Sequence, residues 1–179
     1  MLCRREEMMG KEICITKNQH KDTGIRRGSG LLLTQEINTA HGAFAVRDTR
    51  EFNPLQMAYV GDTIHDLYVR SMLVSRGMTV GAMHRQAVRM VSAFAQARML
   101  EAIEPELEPA ELDVARRGRN SQAKHAAPKN ADPADYAHAT GLEALWGYLY
   151  LSGQSGRLDT LIKLALARTE ELWQKRTSK

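Results

Sequence analysis

Apolar residues recur at spacings of three and four along most of the chain after residue 52, and this period is typical of amphipathic helices. The first predicted helix begins after Asn53, because an asparagine caps a helix well and Pro54 is a favourable first helical residue. Gly77 marks its expected end. The next helical stretch follows Thr79 and is long enough to bend or break near Val91. Its apolar stripe consists of Met83, Ala87, Met90, Val91, Phe94, Ala97 and Leu100.

Three further helices are predicted in the second half of the chain. The sequence PAELDVARRGRN indicates a short helix that stops at Gly118, followed by a long loop, SQAKHAAPKNADPAD. A fourth helix begins between Asp132 and Asp135, and Ser155 can cap a closing helix. The apolar positions of these two helices are Tyr136, Leu142, Leu145, Trp146, Leu149 and Tyr150, then Leu158, Leu161, Ile162, Leu164, Ala165 and Leu166. No strand pattern competes over roughly the last 130 residues, so the predicted fold class is an all-α helical bundle.

Residues 1–46 lack a sustained period and mix charged, polar and glycine residues. We expect them to form a poorly ordered N-terminal extension, and residues 47–179 to form one folded domain, which suits a chain of 179 residues. Acidic residues scattered through this segment argue against a secretory signal or a transit peptide. They are Glu6, Glu7, Glu12 and Asp22.

The composition, with 43% hydrophobic and 26% charged residues, is that of a soluble globular protein. The longest apolar runs are too short to cross a bilayer, so we expect no membrane association. Cys3 and Cys14 are the only cysteines, and no Cys/His cluster accompanies them at zinc spacing. We interpret them as reduced thiols of a cytoplasmic protein.

The formal net charge of +4 favours an anionic partner only weakly, but the distribution of charge is more informative. Between Val114 and Asn130 the chain carries five basic residues and no acid. They are Arg116, Arg117, Arg119, Lys124 and Lys129. A basic loop of this kind either contacts phosphates or forms a solvated surface without a ligand.

Two isolated acids, Asp62 and Glu143, lie in the two most apolar predicted helices. Helical spacing predicts that Asp62 faces inward with Ala58, where an unpartnered carboxylate is costly. Two converging carboxylates can hold Mg²⁺ with several waters. The alternative is an ordinary helical core in which both acids are capped or paired with arginine. His65 and His84 are interpreted as hydrogen-bonded structural groups more readily than as proton shuttles.

Several motifs resemble the ribonuclease III family. The sequence LQMAYVGDTIHDLYVR is similar to the signature helix of that family, and ATGLEALWGYLYLSG is similar to its second acidic helix. The Mini-ribonuclease III branch is more similar still, because NPLQMAYVGD, VSAFAQAR, RRGRN, PKN and ATGLEALWGYLYL occur in its order and spacing. The resemblance covers about Arg47 to the C-terminus.

This resemblance implies that Asp62 and Glu143 are catalytic and bind the metal ion, expected to be Mg²⁺ with Mn²⁺ as a substitute. Where ribonuclease III proper has further acids, this chain has Leu55, Ala58 and Thr140. A metal shell with fewer protein ligands follows, completed by water.

The resemblance also bears on RNA binding, because the usual double-stranded-RNA-binding domain does not follow the closing helix. RNA contacts are therefore expected from the catalytic domain itself, with arginine and lysine on phosphates and amide or histidine side chains on sugars or base edges. The expected RNA-binding residues are Arg116, Arg117, Arg119, Asn120, Lys124, His125, Lys129 and Asn130.

The resulting hypothesis is a metal-dependent endoribonuclease that cuts double-stranded RNA and leaves 5′-phosphate and 3′-hydroxyl ends. The resemblance further implies a homodimer, a large-subunit (23S-type) ribosomal RNA precursor as substrate, and assistance from a ribosomal protein. One alternative is a catalytically silent RNA-binding protein of the same fold. Another, a helical protein-interaction module, leaves the basic loop and both acids unexplained.

Overall fold

The structure, a computed structural model, describes residues 52–122 and 132–177, with side chains up to residue 170. It consists of six α-helices: α1 Pro54–Ser75, α2 Val80–Met90, α3 Ala93–Ile103, α4 Pro109–Gln122, α5 Pro133–Leu151 and α6 Ser155–Thr177. A 3₁₀ turn, Glu104–Glu106, joins α3 to α4. These residues contain no strand, which confirms the all-α fold class. The expected N-terminal extension, residues 1–46, lies outside the described part of the chain.

Helix α5 is the centre of the bundle, with α1, α3, α4 and α6 packed around it. Its apolar side chains are completely buried, including those of Leu142, Leu145, Trp146 and Leu149. A helix that is apolar on nearly every side needs neighbours on every side. None of the helices in the described ranges is both long and apolar enough to cross a lipid bilayer.

Two glycines allow α1 and α5 to touch backbone to backbone. A Cβ atom added to Gly61 would lie 1.8 Å from the carbonyl oxygen of Glu143, and one added to Gly147 would lie 1.9 Å from that of Met57. Both distances are far below any real carbon contact. The helices therefore cross as closely as they do because both positions lack a side chain.

The start of α1 and the break in the second helical stretch are confirmed. Asn53 caps α1 through a reciprocal pair of hydrogen bonds with the N–H and side chain of Gln56. The stretch after Thr79 divides at Val91, and Ser92 caps α3 by accepting a hydrogen bond from the amide of Ala95.

This break shifts the buried face of α3, so part of the predicted apolar stripe is wrong. Phe94 is 42% exposed, whereas Ala95 and Gln96 are buried. The predicted stripe keeps one helical period through the expected break near Val91, whereas a new helix that starts at residue 93 changes which side chains face the core. Gln96, a polar residue, consequently lies in the interior.

The predicted end of α4 at Gly118 is also wrong, because the helix continues to Gln122. Gly118 lies against α5, where an added Cβ would come within 2.7 Å of the Ala144 Cβ and 2.9 Å of the Thr140 carbonyl oxygen. This glycine permits close helix packing and does not terminate a helix.

Candidate active site

The α1–α5 crossing brings the two isolated acids together. Asp62 directly follows Gly61, whose backbone lies on the backbone of Glu143. Both carboxylates line one open groove of about 460 Å³. The other residues that line it are Leu55, Ala58, Tyr59, Val91, Ala93, Gln96, Gln122, Tyr136, Ala139 and Thr140. The structure thus confirms that the acids converge.

Asp62 does not face the core, and that prediction is wrong. It is exposed, whereas its helical neighbours Ala58 and His65 are buried. Two residues of α1 that pack against the bundle are Gly61, one position before Asp62, and Ile64, two positions after it, so Asp62 falls at the edge of the buried face. The alternative of a pairing with arginine is not met either, since no basic side chain of the described residues pairs with Asp62.

Glu143 lies in a different environment from Asp62. It is half-buried on α5. Burial raises the pKa of its carboxyl group to about 8, and the negative charge of Asp62 contributes to the same shift. A hydrogen bond with the Gln96 side chain acts in the opposite direction and lowers the pKa. The folded chain therefore places Glu143 where its negative charge lacks sufficient compensation.

The donor set fits a hard divalent cation. A cation between Asp62 and Glu143 would offset both the desolvation of one carboxylate and the repulsion between the two. The described residues contain no cluster of three or more Asp, Glu, His or Cys side chains. With only two carboxylates in an open groove, the remaining ligand positions would be filled by water, and Mg²⁺ usually keeps several water ligands.

Other acids near the bundle show how this site differs. Asp66 receives a hydrogen bond from Arg70, with the Nε of the arginine 2.7 Å from Oδ2. Glu111, only 2% exposed, is held by two hydrogen bonds of 2.8 Å from Arg157. Each of these acids is paired with an arginine side chain, so we interpret them as structural.

Neither of the two histidines is placed as a proton shuttle would be. His65 is buried, and its Nε2 donates a hydrogen bond to the Met90 carbonyl oxygen at 3.2 Å. This bond ties α1 to the end of α2, as a structural histidine would. His84 is exposed and lines a separate small groove that contains neither Asp62 nor Glu143.

Three of the predicted RNA-binding arginines lie on α4, and two of them pair with an acid of the same helix. Arg116 and Arg117 both pair with Asp113, the acid immediately before the basic stretch. Arg116 and Arg119 line a second groove, which contains neither Asp62 nor Glu143. Asn120 is exposed on the same helix. The remaining predicted RNA-binding residues, Lys124, His125, Lys129 and Asn130, lie outside the described residues.

Sequence reasoning missed one polar residue of the groove. Gln96 is buried and lines the groove with Glu143. The predicted apolar stripe, which keeps one helical period through Val91, gave no reason to place Gln96 in the core. The available signal is Ser92, a good N-cap, which predicts a new helix and a new buried face. Tyr136, predicted as an apolar core position, also lines the groove.

The chain is similar in sequence to known ribonucleases. A model of the ribonuclease III domain matches residues 55–154. The Mini-ribonuclease 3 of Symbiobacterium thermophilum is 50% identical over 113 residues, which cover 63% of this chain and 86% of that protein. The Mini-ribonuclease 3 of Brevibacillus brevis is 44% identical over 125 residues, covering 69% and 92%.

A further relative and a solved structure agree. The Mini-ribonuclease 3 of Enterococcus faecalis is 42% identical over 133 residues, which cover 73% of this chain and all of that protein. A crystal structure of a protein from Fusobacterium nucleatum has the same fold, with a TM-score of 0.62, 23% identity, and coverage of 69% of this chain and 98% of that one. With a domain match over more than half of its length and relatives of this similarity, the chain belongs to the ribonuclease III family, within its Mini-ribonuclease III branch.

Proposed function

We propose that this protein is an endoribonuclease that hydrolyses double-stranded RNA with the help of Mg²⁺, which Mn²⁺ can replace. The observation that carries the proposal is the pair of acids, Asp62 and Glu143, in one open groove without a basic side chain of the described residues to neutralise them. Membership in the ribonuclease III family supports the same reaction class.

Asp62 and Glu143 are the residues that would hold the ion. When bound, such an ion supplies positive charge for the phosphate and acidifies water, so that hydroxide becomes available near neutral pH. Asp62, at the exposed edge, is accessible from solvent. The packing of α5 places Glu143 in the same groove as Asp62, and a cation held there would favour its ionised form. In this proposal water attacks the phosphorus and the 3′-oxygen leaves with a proton, which gives 5′-phosphate and 3′-hydroxyl ends.

We propose that RNA is held by the basic residues of α4 together with Lys124 and Lys129, which follow α4 in the sequence. Arg116 is exposed and Arg117 is half-buried, so their pairs with Asp113 are surface ion pairs. Such pairs contribute little to stability, and both arginines can therefore exchange Asp113 for a phosphate. Gln122, at the end of α4, lines the groove of the acids. Helix α4 therefore connects the basic surface to the proposed cleavage site.

The same proposal includes a homodimer in the cytoplasm that matures a large-subunit ribosomal RNA precursor, with help from a ribosomal protein. The resemblance to Mini-ribonuclease III is what supports the homodimer. Tyr59 is 82% exposed and Val74 is 65% exposed, but they lie towards opposite ends of α1 and form no common apolar patch.

The proposed function is tested by incubating the full-length protein with a perfectly paired RNA, a paired DNA of the same sequence, and single-stranded RNA. We expect cleavage of the RNA duplex alone, dependent on Mg²⁺ and abolished by a chelator. The product ends should carry 5′-phosphate and 3′-hydroxyl groups. Salt-sensitive binding to the RNA duplex without cleavage under any divalent ion would instead identify a catalytically silent RNA-binding protein.

A further inference from the structure

Gln96 occupies an unusual position for an uncharged polar residue. It is 1% exposed and is the one polar member among the buried residues of α3, which are otherwise Ala95, Ala97, Met99, Leu100 and Ile103. It also lines the groove that contains Asp62 and Glu143. Its side chain thus lies at the boundary between the apolar core and the paired acids.

A buried primary amide needs hydrogen-bond partners, because burial removes its hydrogen bonds to water and an unsatisfied amide destabilises the fold. Gln96 and Glu143 line the same groove, and the Gln96 side chain acts on the Glu143 carboxyl group as a hydrogen-bond donor does, by lowering its pKa. In the ionised state of Glu143 the amide N–H of Gln96 donates to a carboxylate oxygen. This bond crosses from α3 to α5, so it joins two helices that the core packing already holds together.

The geometry has a consequence for the orientation of Glu143. A glutamate has three side-chain torsions, and the terminal one is broad, so packing alone leaves the direction of its oxygens poorly fixed. A donor that is itself held in the core selects one oxygen of Glu143 and leaves the other to the groove. The amide accomplishes this without a charge, so it does not compete with a cation as an arginine would.

We propose that Gln96 is a positioning residue that fixes the Glu143 carboxylate so that it faces one divalent cation together with Asp62. This inference rests on the proposed function for its catalytic meaning, but the hydrogen bond and the orientation are properties of the metal-free chain. Gln96 touches neither RNA nor the reacting atoms in this account. It acts through Glu143 alone.

The first test measures Mn²⁺ binding to the full-length protein by calorimetry in the absence of RNA. Gln96→Met keeps the length of the side chain and removes the donor, and we expect the Kd for Mn²⁺ to rise about tenfold, as is usual when a group that orients a metal ligand is removed. Thr169→Val is the matched control. Thr169 is 1% exposed and hydrogen-bonds only within α6, to Ala165 and Leu166, so the Kd of this variant should stay at the wild-type value.

The second test separates positioning from packing in the cleavage reaction. Gln96→Met should lower the single-turnover rate at saturating RNA and leave the RNA concentration for half-maximal rate unchanged. Raising Mg²⁺ should restore part of the rate. A Kd for Mn²⁺ within twofold of wild type, together with an unchanged Mg²⁺ requirement, would show that Gln96 only fills space and would overturn the proposal.

A third measurement needs no substitution at Gln96 and so holds even if Gln96→Met does not fold. In metal-free protein labelled with ¹⁵N, the side-chain amide resonances of Gln96 should shift when Glu143 is changed to Gln, and also when Mg²⁺ is added to wild type. Resonances indifferent to both changes would refute the hydrogen bond. If wild type cleaves no RNA but these resonances and the Mn²⁺ affinities behave as expected, the proposed nuclease function fails and the positioning role stands.

Discussion

At the scale of single residues, the protein distinguishes structural acids from site acids by what lies beside them. Desolvation alone would raise the pKa of Glu111, which is 2% exposed, but the hydrogen bonds and charge of Arg157, together with the backbone N–H of Glu108, outweigh it and keep this pKa below the usual value. Glu143 has a neutral amide and another carboxylate as neighbours, so its pKa moves upward. Burial alone therefore does not identify a metal ligand.

The raised pKa of Glu143 predicts how the stability of the metal-free protein depends on pH. Between the ordinary value of 4.5 and about 8, the folded protein holds this proton and the unfolded chain does not, so the free energy of unfolding falls as pH rises through that window. Glu143→Gln removes this dependence. At pH 9 the variant should be more stable than wild type by more than about 1 kcal/mol, since each pKa unit corresponds to about 1.4 kcal/mol.

Chemical denaturation at pH 5 and pH 9 in the presence of a chelator measures this difference. At pH 5 the two proteins should have similar stability, because Glu143 is then protonated in the folded state. Adding Mg²⁺ at pH 9 should stabilise wild type more than the variant. Equal stability differences at both pH values would contradict the assignment of the raised pKa to Glu143.

Much of the candidate site could be predicted at this scale. Asp62 and Glu143 stand out as acids within apolar helical patterns, and they do converge. Spacing could not show that Asp62 is exposed, because Asp62 directly follows Gly61, which is packed against the bundle. The burial of Gln96 was not predicted from the sequence, because it depends on where α3 begins.

At the scale of helices, local signals located two boundaries: Asn53 accepts a backbone hydrogen bond in its predicted capping role at the start of α1, and Asp132 accepts one at the start of α5, within the predicted range. The prediction that Ser155 caps α6 is wrong, because Ser155 is itself the first residue of that helix. Gly118 shows the limit of such signals. A glycine that ends a helix and a glycine that admits a neighbouring helix look alike in sequence, because the second role depends on packing against α5, which is distant along the chain.

The crossing of α1 and α5 gives a prediction at this scale. Gly61→Ala would place a Cβ 1.8 Å from the Glu143 carbonyl oxygen, so the two helices must move apart. Overpacking of this kind costs about 1–3 kcal/mol or more. We expect a loss of stability in that range, measured by denaturation, and a large loss of cleavage even where the variant remains folded, because the two acids separate.

Gly156→Ala on α6 is the control for helix propensity. An added Cβ there meets nothing within 4 Å, so the change should be neutral or should stabilise the protein by up to about 1 kcal/mol. A Gly61→Ala variant as stable and as active as wild type would show that the close backbone approach at this crossing does not set the distance between the acids.

At the scale of the whole molecule, the proposed function requires the acids and the basic residues of α4 to act on one RNA duplex. Arg116 and Arg119 line a groove separate from that of Asp62 and Glu143, whereas Gln122, at the end of the same helix, lines the groove of the acids. A duplex bound at the acids would therefore have to extend along α4 to reach these arginines. The basic residues can be read from the sequence, but the side of α4 on which each one lies depends on how the helix packs.

Replacing Arg117, Arg119, Lys124 and Lys129 together by Ala tests the basic surface. Duplex RNA binding should weaken, and the slope of log affinity against log salt should become shallower by somewhat less than one for each phosphate that the variant no longer neutralises. Binding is measured at several salt concentrations with Ca²⁺ in place of Mg²⁺, which we expect to permit binding without cleavage. An unchanged slope would exclude this surface and direct attention to Arg70, Arg85 and Arg89.

Asp62 and Glu143 should act as one unit on one divalent cation, and single-turnover cleavage of a duplex RNA at saturating enzyme measures whether they do. Asp62→Asn and Glu143→Gln keep side-chain volume and remove charge, and each should reduce the rate at limiting Mg²⁺ by about 100-fold or more while RNA binding persists. The double variant should be little slower than the slower single variant, because groups that act together are not additive. A single variant with a near-wild-type rate, or a double variant whose loss equals the product of the two single losses, would contradict the account.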